Sequence, residues 1–185
     1  DWINKNTYPK GVNYKCGQEI SFRIFSWIVA LDYFTDFVTK EDEKIIVENI
    51  YTSLLRVNAN IDYAAKSVKN NHSIIEAAGL FIGGLLFPQF KESKKLIKKG
   101  LEYLVNETSY QIYSDGSYIQ HSFTYQRLAL DVLSFVFFIA KKKQSKLPNI
   151  LKLRHQKMII FLNSFIQENG WLSNYGSNDG ANLFP

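Results

Sequence analysis

Side chains suited to acid–base chemistry gather in three polar segments between apolar stretches. Asn71 and His72 lie at the start of one apolar run, and Tyr125 and Arg127 follow a turn-rich stretch. A third segment, residues 169–182, is rich in asparagine and glycine. Binding and catalytic residues often lie on loops that a rigid scaffold positions. We therefore expect any functional site of this chain at these three segments.

The phenol of Tyr125 is the strongest candidate for proton transfer. A free tyrosine has a pKa of about 10, so a tyrosine that acts as a base at neutral pH needs a nearby positive charge. Arg127 or a histidine would supply that charge. In a second interpretation, Arg127 binds a carboxylate or sulfate through two parallel hydrogen bonds. Asn71 also has two interpretations, since asparagine before an apolar run is typical of a helix N-cap.

The elements that must position these residues are helices. Apolar residues recur at three- and four-residue steps in six segments, which predicts six helices, and alternation typical of strands is missing. The predicted helical segments are 18–38, 41–57, 74–87, 96–105, 128–137 and 150–166. Thr39 is the expected N-cap of the second helix, Pro88 ends the third, and residues 58–71 are expected to form a polar connection. The pattern predicts an all-α fold of antiparallel helical hairpins, either a bundle or an arc of a toroid, with residues 1–185 as one domain.

Composition favours an anionic partner. The net charge is +5 and the isoelectric point is near 9.1, which suits an acidic polysaccharide, a nucleic acid or an acidic lipid surface. We expect no nucleic-acid partner, because no known nucleic-acid motif is present. The longest apolar run, residues 77–88, is shorter than the roughly 20 residues that cross a bilayer, so no membrane span is expected.

The sequence predicts neither a disulfide nor a metal centre. Cys16 is the only cysteine, and the three histidines lie in separate segments without the spacing that places two imidazoles on one metal ion. We expect no cofactor.

Three motifs in this order resemble those of the heparinase II/III and alginate lyase superfamily. They are Asn70-Asn71-His72-Ser73-Ile74-Ile75-Glu76-Ala77-Ala78-Gly79-Leu80, Asp115-Gly116-Ser117-Tyr118-Ile119-Gln120-His121-Ser122 with Tyr125-Gln126-Arg127, and Asn174-Tyr175-Gly176-Ser177-Asn178-Asp179-Gly180-Ala181. The segment Gln18-Glu19-Ile20-Ser21-Phe22-Arg23 is also similar to the first toroid helix of such lyases. The resemblance implies an incomplete (α/α) toroid that precedes a β-sandwich domain.

The resemblance also implies a reaction and the residues for it. The reaction is β-elimination on a uronic acid, in which a base removes the C5 proton and the bond from C4 to the glycosidic oxygen breaks. Asn71 would donate to the uronate carboxyl group, which must be neutralised before C5 becomes acidic, and His72 would neutralise the carboxyl group or act as base. Tyr125 would take or deliver the proton, and Arg127 would assist it. The expected substrate-binding residues are Glu19, Arg23, Gln120, His121, Tyr175, Asn178 and Asp179.

Lyases of this group complete their site with residues from beyond the helical domain. We therefore expect this chain to be part of a longer lyase, periplasmic or secreted, without its C-terminal β-sandwich domain, and to bind acidic polysaccharide weakly with little turnover. The main alternative is a non-catalytic helical module that binds polysaccharide or acts as a scaffold. Glu19 and Arg23, four residues apart, would equally form an ordinary pair on a helix surface.

Overall fold

The computed structural model describes residues 1–183, and the regular secondary structure in this range is all helical. Within that range there is no strand, only two isolated bridges that join Ile112 to Tyr118 and Ile166 to Leu172. The helices are α1 (Trp2–Lys5), α2 (Gly17–Tyr33), α3 (Lys40–Tyr63), α4 (Asn71–Leu86), α5 (Ser93–Gln111), α6 (Phe123–Lys142) and α7 (Asn149–Asn163). Two further helical elements are a 3-10 turn at Val12–Tyr14 and a π-helix at Ala64–Val68.

Helix ends follow local chemistry. The Thr39 side chain accepts a 3.1 Å hydrogen bond from the Asp42 backbone N–H and caps α3, as predicted. The predicted polar connection at residues 58–71 is wrong, because α3 continues to Tyr63 and the π-helix carries the chain on to Val68. Ile61 is fully buried and extends the apolar face of α3, so its burial outweighs the polar side chains around it.

Helix α4 is the centre of the packing. It contacts α2, α3, α5 and α6, while α2 pairs with α3, α4 with α5, and α6 with α7. Helices α2, α4 and α6 therefore form one layer, and their hairpin partners form a second layer in which α5 contacts α7. This two-layer succession of hairpins is an incomplete (α/α) toroid.

Small residues let the neighbours of α4 approach closely. A Cβ atom placed on Gly83 would lie 2.6 Å from the Leu54 side chain of α3. A Cβ on Gly100 of α5 would lie 2.5 Å from the backbone nitrogen of Phe81. Because these contacts leave no room for a methyl group, the glycines set the spacing of α4 from α3 and α5.

Helix α6 combines length with strong apolar character. By those criteria it would qualify as a membrane span, but 61% of its most apolar 18-residue window is buried inside the protein. That burial is typical of the core helix of a packed domain.

Candidate functional site

The N-terminal ends of α2, α4 and α6 meet at one end of the fold. The Asn71 side-chain amide donates to the Gln18 side chain of α2, and the Asn71 backbone N–H donates a 3.2 Å hydrogen bond to Oε1 of Gln120. Gln120 lies just before Ser122, the N-cap of α6. Since the N-terminus of a helix carries partial positive charge, this convergence favours a negatively charged ligand.

Asn71 is a buried residue of the first turn of α4 and not its cap. The N-cap is Asn70, whose Oδ1 accepts a 3.0 Å hydrogen bond from the His72 backbone N–H. The Asn71 side chain is 2% exposed and is held by Gln18. The N-cap interpretation of Asn71 is therefore wrong by one residue, and the Asn71 amide is oriented by tertiary contacts.

His72 is half-buried beside Cys16. Its Nδ1 atom lies 3.7 Å from the Cys16 Sγ atom. Burial lowers the pKa of His72 below 6.5, and the charge of Glu19 opposes part of that effect. The imidazole is therefore mainly neutral at pH 7, which suits a proton acceptor.

Tyr125 lies in the first turn of α6, and its hydroxyl donates a 2.7 Å hydrogen bond to Oδ2 of Asp179. This hydrogen bond is the main cause that raises the pKa of Tyr125, and it lowers the pKa of Asp179. We expected Arg127 or a histidine beside the Tyr125 hydroxyl, but the partner there is the Asp179 carboxylate. Arg127, two residues further along α6, is exposed and lines a cavity that Tyr125 does not border.

Two hydrogen bonds hold the segment that carries Asp179 against the start of α6. The Phe123 backbone N–H donates a 3.0 Å hydrogen bond to the Tyr175 carbonyl oxygen, and the Ser122 hydroxyl donates to the Ser177 carbonyl oxygen. Gly176 has φ of 76°, and a Cβ there would lie 2.1 Å from the His121 carbonyl oxygen. Glycine is therefore required for this segment to reach Tyr125.

Two cavities border that segment. The first, about 360 Å³, is lined by His121 and Tyr175 among others. The second, about 980 Å³, is lined by Arg127, Asn178 and the exposed Trp171. The substrate-binding roles of His121, Tyr175 and Asn178 stay predictions.

Glu19 and Arg23 both lie on α2, where burial lowers the pKa of Arg23 and the charge of Glu19 opposes part of that lowering. Within residues 1–183 no ion pair joins them, so the interpretation as a helix-surface pair is not met. The Arg23 guanidinium lies 4.9 Å from the Trp2 ring and 5.4 Å from the Tyr14 ring, and it donates to the Asn13 carbonyl oxygen. Arg23 therefore anchors the N-terminal segment.

A buried polar network that the motifs did not reveal supports the start of α4. The Gln111 side-chain nitrogen donates to the Asn70 carbonyl oxygen at 2.9 Å and to Glu107 at 2.9 Å. The Ser73 hydroxyl donates to the same Glu107 carboxylate at 2.7 Å, and the Tyr118 hydroxyl donates to Gln111 Oε1 at 2.8 Å. Four buried side chains thus fix the backbone just before Asn71 and His72.

Two further residues near His72 were missed as site residues. Gln18 orients Asn71, and Glu76 is buried one helical turn beyond His72. The four-residue spacing of His72 and Glu76 places both on one face of α4, and this was the signal available in the sequence. In the described part of the chain, no group of three histidine, cysteine or carboxylate side chains is arranged to hold a metal ion.

Comparison with known proteins identifies the family. The sequence profile described as "Heparinase II/III N-terminus" matches residues 1–178. The chain therefore belongs to the heparinase II/III N-terminal family.

The similar proteins of known structure share the helical fold. The crystal structure of heparinase III superposes with a TM-score of 0.74 at 25% identity, over 91% of this chain and 27% of that one. The heparan sulfate lyase HepC from Pedobacter heparinus gives a TM-score of 0.68 at 23% identity, over 91% and 27% of the two chains.

A curated relative, the heparin-sulfate lyase of Bacteroides stercoris, is 28% identical over 97 residues, which is 51% of this chain and 15% of the relative. This chain thus spans only a minor part of the length of its relatives.

Proposed function

We propose that this chain forms the helical part of a lyase that cleaves uronate-containing acidic polysaccharide by β-elimination. The observation that carries the proposal is the meeting of the α2, α4 and α6 N-termini, with Asn71 fixed between Gln18 and Gln120. Membership in the heparinase II/III N-terminal family supports the same conclusion. The net charge of +5 suits a polyanion.

The reaction requires that the uronate carboxyl group be neutralised. In the proposed complex the Asn71 amide donates to that group, at the positive ends of the three helices. Because Asn71 is 2% exposed, substrate reaches its amide only when Gln18 moves aside, and Asn71 then exchanges its bond to Gln18 for a bond to substrate.

Proton transfer is divided between two residues. The neutral imidazole of His72 accepts the C5 proton, the electron pair of that C–H bond forms the C4–C5 double bond, and the C4–O bond breaks. Tyr125 delivers its proton to the leaving glycosidic oxygen, because its raised pKa keeps the phenol protonated. For the other C5 epimer the phenol serves as the base, which requires that Asp179 move away from it.

The remaining catalytic groups are proposed to come from segments that this chain does not contain. The solved relatives are more than three times as long as the part they share with it, since 27% of their length is covered. We expect the 185-residue chain to bind acidic polysaccharide weakly and to turn it over little or not at all.

The decisive experiment is Tyr125→Phe in the full-length protein that carries this chain. Turnover is followed by the ultraviolet absorbance of the unsaturated uronate, on heparan sulfate, alginate and chondroitin sulfate. We expect kcat to fall roughly 10²- to 10⁴-fold while polymer binding is retained. Tyr33→Phe is the matched control, because Tyr33 is 78% exposed at the end of α2.

Polymer binding without turnover by the wild-type protein would contradict the lyase proposal and favour the non-catalytic binding module. Equal binding of DNA and of the acidic polysaccharides would contradict recognition of uronate.

A further inference from the structure

A cavity beside His72 contains charged groups that the proposed reaction steps do not use. It has a volume of about 450 Å³ and lies among the start of α2, the C-terminal part of α3 with the π-helix that follows it, and the first turns of α4. Lys15, Gly17, Arg56 and Glu76 line it together with His72. We call it the Glu76 cavity.

Among the residues that the structure describes, Glu76 is a buried acid without a hydrogen-bond or ion-pair partner. Its side chain is 3% exposed, and its Oε2 atom is buried without a hydrogen bond. A buried, unpaired carboxylate is costly, so the uncharged form is favoured and burial raises the pKa of Glu76 to about 7. Glycine at position 17 makes room for this group, since a Cβ on Gly17 would lie 2.3 Å from the Glu76 carboxyl carbon.

The other charged groups of the cavity wall are positive. The Arg56 Nε–H donates a 3.1 Å hydrogen bond to the Tyr14 carbonyl oxygen, which fixes the guanidinium at the wall. Lys15 adds a second positive charge. Helix α2 begins at Gly17, and the side chain of its N-cap, Cys16, makes no capping hydrogen bond. The first turn of α2, which carries partial positive charge, thus borders the cavity without a capping side chain.

We propose that the Glu76 cavity binds a carboxylate or sulfate group. Arg56, Lys15 and the start of α2 supply positive charge, and the protonated Glu76 donates a hydrogen bond to one oxygen of the ligand. Such a group occurs both as a free anion and as a substituent of an acidic sugar. This anion site does not depend on the proposed lyase function. If that function is correct, the group that occupies the site is a substituent of the polysaccharide bound beside His72.

Binding to this cavity depends on pH. Ionised Glu76 repels an anion, so the affinity is highest below pH 7 and falls about tenfold from pH 6 to pH 8. His72 contributes less over that range, because its pKa lies below 6.5. The remaining ionisable groups nearby are Cys16 and Glu19 of the α2 segment and Tyr63 of α3, besides Lys15 and Arg56.

The test is an NMR titration of the 185-residue chain with sodium sulfate, glucuronate or N-sulfoglucosamine, at pH 6 and pH 8 and constant ionic strength. Saturable shifts at the amides of Gly17 and His72 are expected for at least one probe. Arg56→Gln should weaken binding at least tenfold at pH 6. Glu76→Gln should keep the binding and remove its pH dependence, because an amide donates at both pH values.

Lys98→Gln is the control, because Lys98 is exposed on α5, away from the cavity. Preference for the two sugars over sulfate assigns the cavity to polysaccharide, and equal binding assigns it to free anions. Unchanged affinity in Arg56→Gln, or an unchanged pH dependence in Glu76→Gln, would overturn the proposal. Should Arg56→Gln unfold, the Glu76→Gln measurement decides alone. A lack of lyase activity in the full-length protein leaves all these outcomes unaffected.

Discussion

The hydroxyl of Tyr125 and the carboxylate of Asp179, 54 residues apart in sequence, form a 2.7 Å hydrogen bond. The other oxygen of Asp179 accepts a 3.0 Å hydrogen bond from the Ala181 backbone N–H, which fixes the carboxylate within its own turn. A negative charge beside a phenol stabilises the neutral phenol. Tyr125 is therefore held as a proton donor, and Asp179 determines how readily it gives up its proton.

Asp179→Asn should lower the pKa of Tyr125 towards its ordinary value of 10.0, because the amide removes the negative charge and can still accept the hydrogen bond. NMR of tyrosine labelled at the ring carbon that bears the hydroxyl would follow the titration, with Tyr125→Phe to assign the signal. Asn178→Asp is the comparison variant for the Tyr125 titration, since it adds a negative charge next to the Asp179 carboxylate. An unchanged Tyr125 titration in Asp179→Asn would show that the contact does not set this pKa.

Most of the fold could be predicted from the sequence, because buried helices impose a strong apolar periodicity. Each of the six predicted segments corresponds to one of the helices α2 to α7, and Thr39 caps α3 as expected. Helix α1 was missed because it has four residues and buries none of them. The π-helix at Ala64–Val68 was missed because polar residues near it suggested a loop.

Less of the site could be predicted, because side-chain partners depend on tertiary contacts. The sequence indicated Tyr125 but suggested the wrong partner for it, since Arg127 is near in sequence and residues two apart on a helix do not face each other. The contacts of Asn71 with Gln18 and Gln120 span 53 and 49 residues, and local spacing does not predict such pairs.

Gly17→Ala should destabilise the chain by about 1–3 kcal/mol, because the new methyl group would overlap the Glu76 carboxyl group. Glu76→Ala removes that carboxyl group, so the cost of Gly17→Ala should shrink in the double variant. Urea unfolding of the wild type, both single variants and the double variant gives the coupling free energy. Strict additivity of the two changes would contradict the contact.

Gln111→Leu should destabilise the chain by about 1–3 kcal/mol, because Glu107, Tyr118 and the Asn70 carbonyl group lose a buried hydrogen-bond partner. Urea unfolding measures the loss. The matched control is Gln156→Leu, at an exposed position of α7, where a change within about 0.5 kcal/mol is expected. Equal effects of the two substitutions would show that the buried network contributes nothing specific.

Glu76→Gln should change the pH dependence of stability. The pKa of Glu76 is about 7 in the folded chain against an ordinary value of 4.5, so the folded state binds more protons than the unfolded state between these values. The wild type therefore loses stability as the pH rises from 4.5 to about 7. At about 1.4 kcal/mol per pH unit, the loss approaches about 3 kcal/mol above pH 7 and is absent below pH 4.5.

Because glutamine does not titrate, the difference in unfolding free energy between Glu76→Gln and the wild type should move in favour of the variant from pH 5 to pH 8. Urea unfolding at the two pH values measures this shift, with Glu102→Gln on the exposed face of α5 as the control that should show none. A difference that stays constant with pH would mean that the Glu76 carboxyl group is as well solvated in the folded chain as in the unfolded one.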